Sequence, residues 1–301
     1  MSPEGWKGNM NKRTESLHEL EIRAIRRRRF FTVLQYVMAI VVTLVALFPL
    51  YWMLISSVKS QDEVLRLIPT FWPHEFHFEN YLHVMQKVNF GKYYLNTIIM
   101  TAGIMFGEIV TGIFAAYGFS KGEFRYKNTL FLVVLGALMI PIQVTFIPIY
   151  IMFARLHLTD TYLGLILPSA VSPYYIFMLR QSFMAIDDSY IDAAKIDGVG
   201  KVGIIVKILT PMCKSTLFTV TLVTFTSGWN NYFWPKIIAK EESHRVLTVG
   251  LAKLKETFAG QDTMNNHEIM AGAVMAILPV VIVFFIFQKY MLTGYSKAAM
   301  K

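Results

Sequence analysis

The chain has 301 residues, 54% of them hydrophobic and only 16% charged, with a formal net charge of +9 and a mean hydropathy of +0.45. Soluble domains carry about 25% charged residues, so this balance argues against a water-soluble enzyme. The single cysteine, Cys213, excludes an intrachain disulfide and a cysteine-based metal site.

A bilayer-spanning helix needs about 20 mostly apolar residues, because hydrocarbon offers a bare backbone no hydrogen-bond partner. Residues 1–29 are polar and basic, with weak helical patterning around Leu17, Leu20 and Ile25. They read as a frayed tail leading into a surface helix. The cluster Arg23, Arg26, Arg27, Arg28 and Arg29 sits just before the first apolar run, where it anchors the span and suits anionic membrane lipid headgroups. Phe30 to Val58 is uncharged and too long for a cleaved signal, with no small-x-small site after it, so it is expected to stay in the membrane. Residues 59–93, with Pro69, Pro73, Phe71, Trp72, Phe76, Phe78 and Tyr81, read as an ordered loop at the outer interface. Lys92 to Lys121 encloses a second span broken only by Glu108, and a short basic turn, 121–127, leads to the uncharged run Asn128 to Ala154. Tyr162 to Leu179 holds Pro168 and Pro173, Ser215 to Pro235 is uncharged, and Ile269 to Gln288 is the last run. A soluble core cannot plausibly bury six such runs. The outer loop 236–268 is the most hydrophilic outside stretch.

With the N-terminus inside, 19 of the 29 Lys and Arg fall in the inner segments 1–29, 121–127, 180–214 and 289–301, and 10 fall outside. The net positive charge is therefore topological and does not point to nucleic acid. The expected architecture is all-α, with six transmembrane helices and both termini cytoplasmic. A basic tail (1–29), a membrane domain (30–290) and a short cytoplasmic tail (291–301) make up the chain.

The inner loop, about 180–214, is the informative one. Asp187, Asp188 or Ser189 can cap a short helix through Ile191, Ala194 and Lys195. Gly198 then permits the left-handed turn that ends it. A second helical stretch carries Val202, Ile205, Val206 and Leu209, and Pro211 sits where the chain re-enters the membrane. Cys213, at the foot of the fifth span, reads as a small apolar filler.

At this loop the run Asp192-Ala193-Ala194-Lys195-Ile196-Asp197-Gly198, followed by Ile208-Leu209-Thr210-Pro211, resembles the inner-loop signature of permease subunits of binding-protein-dependent ABC importers. Asp192 stands for the family's leading Glu, and Thr210 for the aliphatic residue before the proline. Asn80-Tyr81, Ala115-Ala116-Tyr117, Met139-Ile140-Pro141, Phe177 to Gln181, and Gly228 to Pro235 extend the resemblance to the carbohydrate-importer branch, near the second maltose and glycerol-3-phosphate permeases. The resemblance implies the type I ABC importer permease fold in a bacterial cytoplasmic membrane. It implies a homologous permease, two cytoplasmic ATPase subunits and an extracytoplasmic solute-binding protein as partners. ATP and magnesium would then bind the ATPase subunits, with no cofactor in this chain. The loop becomes a coupling helix in which Ala193 and Ala194 present a small face, Gly198 makes the turn, Asp192 can pair with a basic group of the partner, and Asp197 can cap the second helix or reach the partner.

Other signals fail on context. Gly198-Val-Gly200-Lys-Val-Gly203 fits a dinucleotide pattern but follows no strand, and Val202 stands where a phosphate-binding loop needs Ser or Thr. His267-Glu268 lacks the second histidine of a zinc-protease helix. For solute contact, Glu108 admits two readings: a carboxylate facing a water-filled path, or a protonated carboxyl bonded to a neighbouring helix. Gln143, Thr145 and Asn96 are weaker candidates. Asn230 and Asn231 put hydrogen-bonding groups near the outer mouth, where Trp229 offers an aromatic platform for a sugar. The alternative for the polar groups of this span, favoured for its threonines, is helix packing. The rival class, a stand-alone secondary transporter, often shows inverted repeats; none is evident, and it leaves the 192–211 run unexplained.

Overall fold

The computed structural model describes residues 3–259 and 266–298, with side chains over 27–254 and 266–288. Among the described residues every regular element is helical. Helix α1 (Pro3–Ser56) carries the basic segment and the first span in one rod. No Gly or Pro lies between Asn9 and Phe48 to interrupt it, so the segment expected as a frayed tail continues the span helix. Phe30, Val33, Tyr36, Val41 and Val45 stay exposed along it, which costs nothing where the solvent is lipid.

The outer segment that follows is tied by buried polar groups. Helices α2 (Gln61–Val64) and α3 (Glu79–Lys87) flank it. Asn80 Nδ2 donates to the Ser57 and Lys59 carbonyls at 3.0 and 2.9 Å. The buried Lys59 ammonium donates to the Thr70 carbonyl and lies 5.0 Å over Trp52. Burial pushes the Glu63 carboxyl up, but bonds from Thr70 and the His74 N–H, and the Lys59 charge, outweigh it and hold the group below the usual carboxylate range.

Helix α4 (Phe90–Lys121) is the central span. Its glycines let the fourth span close in: a Cβ at Gly103 would meet Ile166 at 2.5 Å, one at Gly107 would meet Ala170 at 2.7 Å, and one at Gly112 would strike Tyr175. Small residues at helical spacing are how spans approach when lipid is as apolar as leucine.

The third span is broken. Helix α5 (Lys127–Gly136) continues as a 3-10 turn to Met139, and α6 (Ile142–Arg155) departs at 99°. Ile140 is extended (φ −87°, ψ 115°) because a residue before proline is driven out of the helical region. The fourth span joins α7 (Tyr162–Ile166) to α8 (Pro173–Met184) with a 46° bend. Ser172 caps α8 by accepting from Tyr175 N–H at 3.2 Å, with Pro173 following it.

The inner loop forms α9 (Ser189–Ile196) and α10 (Lys201–Met212). The fifth span, α11 (Lys214–Trp229) with its short continuation α12 (Phe233–Ile238), turns 86° away from α10 at Cys213. Helices α13 (Leu247–Ala259) and α14 (Asn266–Ala298) complete the chain. The tail expected from 291 is thus helical to Ala298, and 299–301 lie outside the described residues, as do 260–265 of the outer loop.

Among the described residues three helices are long and apolar enough to cross a bilayer, and the number reaches six when each bent pair counts as one span. An inner core gathers Tyr175, Leu179, Phe183, Ile191, Ala194 and Cys213, joining the loop helices to the spans above them. Two further clusters lie around Trp229 with Tyr93 and around Trp234 with Met100.

Candidate functional site

The inner loop is a built hairpin. Asp187 Oδ1 accepts the Ser189 N–H at 2.8 Å, which holds the Asp187 carboxyl below the usual range and starts α9. The helix ends at Gly198 with φ +78°. Gly198 N–H bonds the Lys195 carbonyl at 3.0 Å and Val199 N–H bonds the Ala194 carbonyl at 2.9 Å, the paired reversed bonds of a Schellman cap. Beyond Gly200, α10 contains a π-helical run, Ile204–Leu209. Thr210 supports it, with Oγ1 donating to the Ile205 carbonyl at 2.7 Å. Pro211, exposed, has no N–H to continue an α-helical ladder, and the 86° turn into the fifth span follows two residues later.

The face this hairpin offers differs from the one expected. Ala193 is exposed, but Ala194 is 4% exposed and belongs to the inner core with Ile191. One alanine, not two, lies on the outer face, because α9 turns Ile191 and Ala194 inward at i, i+3 spacing. Asp192 is exposed and pairs with Lys195 of its own helix at 2.9 Å, which raises the Lys195 ammonium. Asp197 is exposed at the C-cap of α9, and the N-cap of α10 is Gly200, with no side-chain cap, so Asp197 does not cap it. Ile196, 87% exposed, and Tyr190 stand on the open face. Sequence reasoning missed them, although Ile196 falls out of phase with the inward pair Ile191 and Ala194.

The residues proposed for a solute path divide. Glu108 accepts from Thr224 Oγ1 of the fifth span, so the carboxyl ties two helices together. Thr221 Oγ1 and Tyr175 Oη lie 3.1 Å apart and tie the fifth span to the fourth. Trp229 is 3% exposed, donates Nε1 to the Ala276 carbonyl at 3.0 Å and packs on Phe225 and Tyr94. It braces the last helix and offers no open platform here, because its indole finds apolar neighbours and a carbonyl on the protein side. Asn96 is equally committed: Nδ2 donates to the Ser243 and Arg245 carbonyls at 3.0 and 2.9 Å, and Oδ1 accepts from Tyr162 Oη at 2.7 Å. It clamps the outer loop onto the second span. Asn230 is exposed and Asn231 half-buried, at the break between α11 and α12. Gln143 is exposed just after the break in the third span, and Phe146 meets Phe233 edge-on at 5.2 Å. The broken third and fifth spans therefore adjoin at Phe146 and Phe233, a few residues along the chain from Gln143 and Asn231, while Glu108 is joined to Thr224 elsewhere along the fifth span.

Comparison with known proteins agrees with this layout. Residues 108–296 match the family described as binding-protein-dependent transport system inner membrane component. The arabinooligosaccharides transport system permease protein AraQ of Bacillus subtilis (strain 168) is 31% identical over 266 residues, 86% of this chain and 92% of its own. The sn-glycerol-3-phosphate transport system permease protein UgpE of Yersinia pestis is 30% identical over 276 residues, 90% of this chain and 98% of its own. A chain in the crystal structure of a bacterial ABC transporter involved in the import of the acidic polysaccharide alginate superposes with a TM-score of 0.77 at 28% identity, covering 87% of this chain and 96% of that one.

Proposed function

This chain belongs to the family of binding-protein-dependent transport system inner membrane components, and from that premise we propose that it is one of two permease subunits of an ATP-driven importer for a carbohydrate-type solute. A sugar, an oligosaccharide or glycerol 3-phosphate fits this reading, as the systems named for AraQ and UgpE suggest. A homologous permease completes the path, an extracytoplasmic binding protein delivers the solute, and two cytoplasmic ATPase subunits hold ATP and magnesium. The N- and C-termini lie on the cytoplasmic side.

The observation that carries the coupling reading is the α9–α10 hairpin, whose turn is fixed at Gly198 and whose outer face exposes Ala193, Asp192 and Ile196. Docked in an ATPase cleft, it passes the closure of the ATPase pair to the spans. Such a contact must favour one of two states of the path, or nothing is coupled. In this reading Asn230, Asn231 and Gln143 hydrogen-bond the solute, supported by the exposure of Asn230 and Gln143 beside the two span breaks.

The test is affinity purification of the tagged chain from mild detergent, with mass spectrometry of what accompanies it. A second permease and an ATPase are expected. Recovery of the chain alone, with uptake persisting in ATP-free vesicles, would replace the importer with a secondary transporter.

A further inference from the structure

We infer that Lys121 is a positioning residue that fastens the coupling hairpin to the second span, so that movement of α9 reaches α4 directly; this rests on the reading that α9 docks the ATPase. Lys121 is the last residue of α4. Its Nζ donates to the Ile186 carbonyl at 2.7 Å and to Asp188 Oδ1 at 2.6 Å. Ile186 lies in the short link after α8, and Asp188 is the N-cap residue of α9. The Lys121 side chain is 11% exposed, so water competes little for its ammonium. A second bond runs the other way: Arg180 of α8 donates Nε to the Phe119 carbonyl at 3.0 Å, with its guanidinium 4.0 Å over Phe131. Lys127 Nζ bonds the Gly122 carbonyl at 2.8 Å and closes the foot of α4.

Charge-assisted hydrogen bonds are about twice as strong as neutral ones. The fifth span is joined to the α8 end of the fourth by a neutral bond, Ser182 Oγ to Thr216 Oγ1 at 2.7 Å. The hairpin itself reaches the fifth span through the chain, which turns 86° at Cys213. The ionic tie of α9 therefore goes to span two, whereas its path to span five runs through a bend. Movement imposed on α9 is thus delivered to α4, whose glycine face packs on the fourth span.

The experiment uses the whole importer in nanodiscs, in a Cys213→Ala background, with a reporter cysteine at the outer end of either span. Gly91→Cys reports span two, since a Cβ there meets nothing within 4 Å, and Thr226→Cys, at an exposed position of α11, reports span five. Labelling by a membrane-impermeant maleimide is timed with and without magnesium-ATP and vanadate. With Lys121 intact, ATP should change the Gly91→Cys rate. In Lys121→Met that change should shrink about tenfold, the scale of one charged hydrogen bond, while the change at Thr226→Cys and the amount of bound ATPase persist. Lys121→Arg should restore the response, and Asp188→Asn should weaken it several-fold. Asp188 is exposed, so that variant decides the matter if Lys121→Met fails to accumulate. A full response at Gly91→Cys in both Lys121→Met and Asp188→Asn, or none in the parent, would overturn the inference. Gly198→Pro separates the two readings: if it keeps both ATPase and uptake, the docking assignment fails. If it loses the ATPase while Lys121→Met behaves as the parent, only the Lys121 inference fails.

Discussion

Gly198 offers the sharpest test of how the hairpin is built, because conformation and space separate there. Its φ is +78°, yet a Cβ added to it meets nothing within 4 Å. Side-chain size should therefore not matter, and tolerance of the left-handed region should. For an ordinary L-residue that region costs about 1–2 kcal/mol, which at about 1.4 kcal/mol per factor of ten lowers the population of the formed turn about 5- to 30-fold relative to glycine. Asparagine tolerates the conformation better than alanine despite being larger, β-branched valine tolerates it worst of the three, and proline cannot adopt it and also lacks the N–H that bonds Lys195. The expected order of ATPase capture and solute uptake is Gly, Asn, Ala, Val, Pro, each at equal membrane abundance by immunoblot. Alanine outperforming asparagine, or proline matching glycine, would refute the reasoning.

The remaining expectations concern packing and charge. Trp229→Ala should lower membrane abundance by an amount corresponding to about 3–5 kcal/mol, read by thermal unfolding in detergent, whereas Trp229→Phe should lose only the bond to Ala276; a change in apparent solute affinity with unaltered stability would return the indole to the solute path. Glu108→Gln keeps an acceptor for Thr224 and should insert and transport normally, while Thr224→Val should cost about 0.6 kcal/mol, the average for a bond between spans, again by thermal unfolding. In the outer segment, the Glu63 carboxyl is held below its unfolded value, so its contribution is present at neutral pH and lost as pH falls through the depressed value. Hydrogen exchange over 61–81, corrected for its intrinsic pH dependence, should rise there in the parent, and Glu63→Gln should not show that step. Ala193→Trp should leave the fold intact and abolish ATPase capture, whereas Ala194→Trp should overpack the inner core at a cost of about 1–3 kcal/mol and reduce abundance; the reverse pattern would invert the face assigned to α9.

The sequence disclosed the spans and the hairpin because each rests on local chemistry. Uncharged runs mark where backbone must bond to itself, Pro141 and Pro173 sit at the observed bends, and Gly198 lies at the positive φ that ended the predicted helix. What it concealed depends on which side of a helix faces inward. Ala193 and Ala194 are chemically alike, and only the burial of Ile191 at i−3 distinguishes the second from the first. Trp229 followed by two asparagines suggests a sugar platform, but the acceptor for its indole is a carbonyl 47 residues away. Lys121 and Arg180 read as ordinary inner-side cations, since their acceptors, the Ile186 and Phe119 carbonyls, carry no sequence signature.

A division of labour follows from where the polar groups of the spans are satisfied. Glu108 with Thr224, Thr221 with Tyr175, and Thr111 with the Ala170 carbonyl all bond between spans of the chain. They hold the second, fourth and fifth spans together, and a group already paired in hydrocarbon gains little by exchanging its partner for a passing solute. Ser227 and Gln143, beside the fifth- and third-span breaks, are exposed, and so is Asn230, although its Nδ2 donates to the Thr226 carbonyl of its own helix at 2.9 Å. A broken helix exposes backbone and amide groups together, and irregular backbone is tolerated at membrane depth only against protein or a water-filled cavity. The same two breaks thus call for a covering partner and supply hydrogen-bonding groups of the kind a hydroxyl-rich solute needs, while the paired groups of the interior brace the second, fourth and fifth spans against one another.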